Sequence, residues 1–295
     1  MDKNGENPIA FIPGVINNKS FPHSFIQVFI GSEMKYYYIK GDISDFKAKR
    51  ESLWIKIRDN SFSLNNISLN LSGKNNENQS IYIKGHVKIT DSVRWPGKGS
   101  MGLFNYINFL ECYSQVCSLH SKLEGSILID GKIVDFTGGC AYVEKNWGRN
   151  FPKDYFWVQA SGFREKRAAI TLSYGRIPLY LMKFNGFLGA VYLRDRIFTF
   201  TTINGSSIKI ENNSNTFHIK LINKKYLLNI NAYAESNNFY PFMGPYKNKM
   251  VPNFRESLNG IVQVKLTYLD DKKLIFNDYS NFSGIEFGGN LNNLK

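Results

Sequence analysis

The chain has 295 residues, of which 43% are hydrophobic and 15% aromatic, and its formal net charge is +13. This apolar content excludes an intrinsically disordered chain, and the length allows one large or two ordinary domains. No apolar run approaches the roughly 20 residues that a membrane-spanning helix needs, and residues 1–7 are too polar for a secretory leader. We therefore expect a cytoplasmic protein.

The positive charge admits three interpretations: a nucleic-acid partner, weak peripheral contact with an anionic membrane, or a solvated basic surface. The lysines are scattered, without a basic helix or an arginine cluster. We expect no nucleic-acid partner, and weak membrane contact stays open because it would suit a lipid substrate. Cys112, Cys117 and Cys140 lack the spacing of a zinc site, so we expect free thiols and no metal.

The first predicted strand, residues 9–12, follows an Asn4-Gly5 pair, which is a strong hairpin signal. A hairpin needs a strand before its turn, and only a few residues precede this one. Either translation starts upstream of Met1 in the intact protein, or the first β domain lacks its N-terminal strand and carries an unpaired edge. In the next strand, His23 and Gln27 share a face with two phenylalanines, which suits a barrel interior; the alternative interpretation of His23 is a structural histidine with satisfied hydrogen bonds.

Short strands separated by turn residues follow, at residues 36–39, 54–58, 68–71 and 81–89. Their spacing is typical of an antiparallel barrel or sandwich. Residues 95–99 predict an irregular loop. The apolar, glycine-bearing stretch 101–109 predicts a short helix or a lid across a barrel mouth.

The next strand, residues 111–120, carries several polar side chains. Glu111, Tyr113 and Gln115 fall on one face of it, because side chains alternate along a strand. If that face is interior, burial would raise the pKa of Glu111 and let it hold a proton at neutral pH.

A hairpin with an Asp-Gly turn, residues 127–136, leads into the segment 142–159. Pro152 cannot donate to a central ladder, so this segment predicts strand, irregular turn and strand. Aromatic clusters beside a proline are commonly core corners. Charged residues among the aromatics favour the alternative of a small-molecule site. The polar and aromatic residues concerned include Tyr142, Glu144, Lys145, Asn146, Trp147, Arg149, Phe156, Trp157 and Gln159.

A second antiparallel set of strands is predicted at residues 168–174, 186–193, 197–202, 207–211, 217–221, 226–232, 260–268 and 273–277. No convincing helix of ten or more residues is present. We divide the chain into two β domains, 1–140 and 141–295, with the segment 142–159 at their junction.

The run Glu144-Lys145-Asn146-Trp147-Gly148, followed by Phe151-Pro152 and Trp157-Val158-Gln159, resembles the signature of the tocopherol cyclase family. Residues 9–14, 23–28, 111–113 and 135–139 are similar to further fixed points of that family. The resemblance implies two tandem lipocalin-like antiparallel β-barrels and an intramolecular cyclase, an isomerase or lyase type without cofactor, that closes a chroman ring on a prenylated quinol. Family members carry histidine where this chain has Ser114 and Ser121.

Ring closure requires protonation of an alkene, shielding of the tertiary cation and delivery of a phenolic oxygen. The resemblance therefore implies a proton donor among the carboxyl groups and aromatic rings around the cation. The catalytic candidates are Glu111, Glu144, Tyr113 and His23, and the ligand-binding candidates are Gln27, Tyr142, Asn146, Trp147, Phe156, Trp157 and Gln159.

Two other hypotheses explain the same features. A lipocalin-like carrier of a small apolar or prenylated aromatic ligand would use the aromatic cavity without chemistry. A hydratase or pericyclic-type isomerase would differ from a cyclase mainly in its access for water. A buried neutral carboxyl distinguishes the first of these from an enzyme, because a carrier has no need of one. None of the three hypotheses calls for a metal, a nucleotide or a flavin.

Overall fold

The computed structural model describes residues 1–97, 99–108, 110–179, 182–213 and 215–294. Within these ranges the chain forms β-strands, turns and five short 3-10 helices, and it has no α-helix. The all-β prediction is confirmed. The 3-10 helices are Gly31–Glu33, Ile43–Asp45, Gly102–Tyr106, Ser236–Asn238 and Leu291–Leu294. In the part of the chain that the structure describes, no helix is long and apolar enough to cross a membrane.

The first sheet has three antiparallel strands in the order β1 (Ile9–Ile16), β2 (His23–Ile30) and β3 (Lys35–Gly41). β2 is buried from Ser24 onward because its two faces pack into different cores. Ile26 and Val28 pack into the core of the second sheet, whereas Phe29 packs against Tyr240 and Phe242 of the third. The first sheet therefore lies between the two larger ones.

The second sheet has strand order β10-β9-β8-β7-β6-β5-β4, and β11 also pairs with β9. β9 is 18 residues long, so its C-terminal part pairs with β10 while its N-terminal part pairs with β11. The predicted Asp-Gly turn joins β9 to β10, with both turn residues at positive φ. The strands are β4 (Phe46–Ala48), β5 (Trp54–Ile57), β6 (Asn60–Ser63), β7 (Asn66–Lys74), β8 (Ser80–Val93), β9 (Cys112–Ile129), β10 (Lys132–Asp135) and β11 (Cys140–Gly148).

The third sheet has strand order β15-β14-β13-β12-β21-β20-β18-β17-β16, and β19 also pairs with β20. β12 and β21 are the first and last of these strands along the chain, and they pair with each other in the middle of the sheet. The sheet bends around one core. The strands are β12 (Tyr155–Ala160), β13 (Ala168–Leu179), β14 (Met182–Leu193), β15 (Arg196–Thr201), β16 (Ser207–Asn213), β17 (Thr216–Ile222), β18 (Tyr226–Tyr233), β19 (Tyr240–Tyr246), β20 (Lys249–Tyr268) and β21 (Leu274–Gly288).

Neither large sheet closes into a barrel. Among the described residues, no ladder joins the edge strands β15 and β16 of the third sheet, or β4 and β10 of the second. The interior of the third sheet is filled by buried side chains, including Phe156, Phe200 and Phe217. A ligand would therefore have to bind outside that core.

The segment 142–159 has the predicted form of strand, turn and strand, since β11 ends at Gly148 and β12 begins at Tyr155. In this turn the chain passes from the second sheet to the third. The predicted helix in 101–109 is the 3-10 helix Gly102–Tyr106, while Phe109 lies outside the described residues. Glu111 lies just before β9 rather than within it, because that strand begins at Cys112.

Candidate active site

A cavity of about 150 Å³ lies where the second and third sheets meet. Its walls come from β9 and β11 on one side, from β12, β13, β14 and β21 on the other, and from the loop around the 3-10 helix Gly102–Tyr106. The lining is largely aromatic and aliphatic, which suits an apolar ligand. The apolar lining residues are Met101, Phe104, Phe151, Pro152, Tyr155, Phe156, Trp157, Tyr174, Ile177, Pro178, Phe184, Phe187, Leu188 and Ile203.

Glu144 is the first carboxyl group in the cavity wall. It receives hydrogen bonds from the Tyr142 hydroxyl (2.8 Å) and the Trp157 indole nitrogen (3.3 Å) on Oε2, and from the Asn146 amide (2.9 Å) on Oε1. Burial raises the pKa of Glu144, although the three donors stabilise its ionised form. A register shift of β11 against β9 on either side of Val143 precedes this residue.

Glu286 on β21 is the second carboxyl group in the wall. Its Oε1 accepts a hydrogen bond from the Tyr155 hydroxyl. Burial raises the pKa of Glu286 to about 8, and the negative charge of Glu144 adds to this effect, while the tyrosine hydrogen bond opposes it. Glu286 therefore holds a proton at neutral pH.

Glu256 on β20 lies beside Glu286 but is not part of the cavity lining. It is the ladder partner of Glu286, which in turn is the ladder partner of Trp157 on β12. Residues directly opposite each other in a ladder lie on the same face, so the two carboxyl groups are neighbours. Glu256 is only 6% exposed. Burial, and then the charges of Glu286 and Glu144, raise its pKa well above the usual range.

No ion pair among the described residues reaches Glu144, Glu256 or Glu286. Glu256 is buried, and Glu144 and Glu286 are half-buried. Without a partner cation these three carboxyl groups resist ionising together, because removing an unpaired charge from water is costly and like charges repel. At least one of these carboxyl groups therefore keeps its proton at neutral pH.

Several predicted residues do meet in this cavity. Glu111, Glu144, Asn146, Phe156 and Trp157 all contribute to its lining. Although Tyr142 is not part of the lining, its hydroxyl supports Glu144 and also contacts the Thr171 hydroxyl at 3.1 Å.

Tyr113 and Trp147 lie outside the cavity. They are ladder partners on β9 and β11, and their rings stack with centroids 5.3 Å apart. The Tyr113 hydroxyl donates to the Ile107 carbonyl and accepts from the Leu110 amide, so it anchors the loop before β9. Trp147 is 42% exposed on the outer side of this pair.

His23, Gln27 and Gln159 are placed elsewhere. His23 contacts the Tyr38 hydroxyl at 2.8 Å beside a separate surface depression. Gln27 is buried in the first sheet and accepts a hydrogen bond from Tyr36. Gln159 donates to the Ser161 hydroxyl at 2.6 Å. The structure does not bring these three to the acidic cavity. His23 and Gln27 belong to the first sheet, whereas Gln159 shares the face of Trp157 on β12 but lies farther along the strand, beyond the cavity lining.

The sequence reasoning missed Glu256, Glu286 and Tyr155. Glu256 and Glu286 belong to strands that pair only in the folded chain, and each is far in sequence from Glu144. One signal was available: Glu286 is a lone acid between Ile285 and Phe287 in an otherwise apolar run. An uncompensated charge in such a run is a reason to suspect a site.

The two serines found in place of histidines lie in different environments. Ser114 lines the cavity, whereas Ser121 is fully buried and contacts the hydroxyls of Ser92 (2.9 Å) and Ser118 (2.8 Å). His120 stacks on Tyr192 with ring centroids 5.7 Å apart, away from the cavity. It therefore does not replace either family histidine.

The described residues contain no group of three histidine, cysteine or acidic side chains arranged to hold a metal. The three cysteines are free thiols. Cys112 lines the cavity, and burial raises its pKa to about 12, so it is a neutral thiol at physiological pH.

Comparison with known proteins agrees with the resemblance seen in the sequence. The model of the tocopherol cyclase-like family matches residues 71–289, well over half of the chain. A probable chloroplastic tocopherol cyclase of Oryza sativa subsp. japonica is 32% identical over 76 residues, which are 26% of this chain and 16% of that protein. The chloroplastic tocopherol cyclase of Zea mays is 32% identical over 65 residues, 22% of this chain and 14% of that protein.

These alignments span about one sixth of the length of the curated relatives or less. Among solved structures, kievitone hydratase from Nectria haematococca superposes with a TM-score of 0.51 at 12% identity, covering 96% of this chain and 85% of that one. At this identity the likeness concerns the fold alone. The family match extends from β7 to the end of β21 and includes every acidic residue of the cavity, and on that ground the chain belongs to the tocopherol cyclase-like family.

Proposed function

We propose that the protein is an intramolecular cyclase that closes a chroman ring on a prenylated quinol by protonating its alkene. The observation that carries this proposal is Glu286, a carboxyl group in the wall of a largely apolar cavity that has no partner cation among the described residues. Burial raises the pKa of this group to about 8. Protonation of an unactivated alkene requires an acid that is neutral at working pH and close to the hydrocarbon. Membership of the tocopherol cyclase-like family supports the same reaction class.

Glu286 is the proposed general acid. Its proton adds to the less substituted alkene carbon, which leaves a tertiary cation on the prenyl chain. The carboxylate that forms keeps the Tyr155 hydroxyl as a donor, which stabilises its new charge. Glu256, its neighbour on β20, acts as a positioning residue, because its carboxyl group lies beside that of Glu286 on the same face. The negative charge of Glu144 raises the pKa of Glu286 and so helps to keep the proton on it in the resting state.

Glu144 is the proposed acceptor of the phenolic proton. Its three hydrogen-bond donors favour the ionised form, in contrast to the single donor at Glu286. The phenolic oxygen attacks the cation, the C–O bond forms and the O–H proton passes to Glu144. The product is an isomer of the substrate, and return of one proton from Glu144 to Glu286 resets the site.

The tertiary cation needs protection from water and from side reactions. Trp157 lies next to both acids, since its indole nitrogen bonds Glu144 and its ladder partner is Glu286. Phe156 and Tyr155 extend the aromatic wall. Aromatic faces attract cations, and this attraction grows in a cavity with little water.

Turnover of a prenylated hydroquinone, followed by liquid chromatography and mass spectrometry, tests the proposal. We expect a product of unchanged mass and shifted retention. Glu286→Gln should reduce the rate by about 10²- to 10⁴-fold, as expected for loss of a general acid. Glu77→Gln, on an exposed loop, is the matched control. Glu111→Gln tests the remaining carboxyl of the wall.

The other hypotheses give different results in the same assay. A product heavier by one water would show that water captures the cation, and the protein would then be a hydratase. Tight binding of the quinol without any product would identify a carrier. Equal rates for the wild type and Glu286→Gln would remove Glu286 from the mechanism.

We also propose that the two large sheets correspond to tandem lipocalin-like domains, 1–140 and 141–295. Consecutive pairing from β4 to β10, and the pairing of β12 with β21, support this, since lipocalins are built as up-and-down meanders. The first domain would lack one strand at β1, which is an edge strand. A cytoplasmic location remains part of the proposal.

A further inference from the structure

The mouth of the cavity carries large apolar side chains that face solvent. Leu103 is 73% exposed and Tyr106 is 69% exposed, both on the 3-10 helix Gly102–Tyr106. Ile203, on the turn after β15, is 43% exposed and also contributes to the cavity lining. Removing apolar side chains from contact with water is favourable. A group of exposed apolar side chains at one opening therefore indicates an interaction surface.

These side chains belong to one continuous rim. A Cβ atom placed on Gly102 would lie 2.6 Å from Ile203 Cδ1, so the helix touches the turn after β15. On the other side, Phe104 stacks on Phe184 of β14 with ring centroids 5.2 Å apart. We call the described residues within 99–107, 176–187 and 199–206 the mouth rim, so residues 180 and 181 are not part of it.

The charge of the mouth rim has one sign. Its three segments contain Arg176 and Lys183 but no aspartate or glutamate. Among the described residues, neither cation takes part in an ion pair. Unpaired cations beside exposed apolar side chains match the headgroup layer of an anionic bilayer, which offers both charge and hydrocarbon.

We infer that the mouth rim docks on an anionic lipid bilayer, with Leu103 and Tyr106 inserted among the headgroups and with Arg176 and Lys183 against the lipid phosphates. The cavity then opens toward the membrane, and an apolar substrate enters without crossing water. This inference rests on the proposed function only for the identity of that substrate. Docking itself follows from the surface and can be measured without turnover.

Sedimentation of the protein with vesicles tests the inference. One set of vesicles contains phosphatidylcholine alone, and the other contains phosphatidylcholine and phosphatidylglycerol in equal parts. We expect binding to the mixed vesicles that weakens as salt is added. The double substitution L103S/Y106S should reduce the partition coefficient at least about tenfold, because two large apolar contacts are lost. The double substitution R176Q/K183Q should reduce it about fivefold for each cation.

Matched controls lie at the far end of β21 and its neighbour β20. Leu274 and Tyr279 are 55% and 46% exposed, and Leu274 lies about 40 Å along β21 from Glu286 at ~3.3 Å per residue. L274S/Y279S should bind vesicles like the wild type. K265Q/K273Q, which removes two exposed lysines of the same region, should retain most of the binding.

The outcomes separate docking from catalysis. Leu103 and Tyr106 are not part of the cavity lining, so L103S/Y106S should convert a water-soluble, short-chain quinol at the wild-type rate. Vesicle binding that is equal in L103S/Y106S and in the wild type would overturn the inference. Absence of binding to the mixed vesicles would also overturn it, as would a dimer in sedimentation that L103S/Y106S disrupts, since the rim would then pair with a second copy. Loss of turnover with intact vesicle binding would instead count against the proposed function alone.

Discussion

Glu256→Gln should make the stability of the protein less dependent on pH. Glu256 is 6% exposed, has no partner cation among the described residues and lies beside Glu286, so it is protonated in the folded state at neutral pH. In the unfolded chain its pKa returns to the ordinary range near 4.3. Glutamine has nearly the same shape and is neutral at every pH, so the substitution isolates the effect of the proton.

The sign follows from the direction of the shift. The folded pKa lies above the unfolded one, so the folded state binds the proton more tightly. The resulting stability is fully present below the unfolded pKa and is lost as pH rises toward the folded pKa. Each such carboxyl lowers the free energy of unfolding by about 1.4 kcal/mol per pH unit in that window. Because a typical domain is stable by only about 5–15 kcal/mol, a slope of this size is readily measured over one or two pH units above the unfolded pKa.

Urea denaturation followed by tryptophan fluorescence measures the effect at several pH values across that window. We expect the wild type to lose stability with rising pH and Glu256→Gln to show a shallower slope, with the two proteins most similar at the acidic end. Glu77→Gln, on the exposed loop, should follow the wild type. Parallel slopes for Glu256→Gln and the wild type would show that Glu256 is ionised in the folded protein, and would refute the reasoning.

Three further predictions concern residues that line the cavity or lie next to its lining. Phe156 is fully buried and its ring lies 4.8 Å from that of Phe217, so Phe156→Ala should lower the free energy of unfolding by about 3–5 kcal/mol in urea denaturation. Gly148→Ala should destabilise the protein and slow turnover, because φ is +139° there and the new Cβ would lie 2.2 Å from the Glu111 carbonyl oxygen; unchanged urea midpoints would contradict this. Tyr142→Phe removes a hydrogen-bond donor to Glu144 and should raise the pKa of that carboxyl group. The rising limb of the pH–rate profile should therefore move to higher pH. A limb that does not move would show that ionisation of Glu144 does not control the rate.

Most of the strand pattern was predictable because it depends on neighbours along the chain. Alternating apolar residues, turn residues and the absence of helical periodicity indicated an all-β protein, as the structure confirms. The Asp130-Gly131 turn and the strand, turn and strand of segment 142–159 were read correctly for the same reason. Glu144 was identified by its unusual surroundings, namely polar groups within a dense run of aromatics.

What depends on pairing between distant strands could not be read in this way. The sequence placed His23, Gln27 and Gln159 near the ligand, but His23 and Gln27 lie in the first sheet and Gln159 lies beyond the cavity lining on β12 of the third. The cavity lies between the second and third sheets because the interior of the third is packed with side chains.

The sequence by itself determined the fold class, the family resemblance and two carboxyl groups of the cavity wall, Glu111 and Glu144, because each of these depends on local pattern. Only the tertiary structure brought Glu256 and Glu286 beside Glu144. β12 and β21 lie far apart along the chain, and their register is set by long-range packing, in which a shift of one residue would turn Glu286 to the opposite face. The protonation of the site follows from the burial that this packing produces.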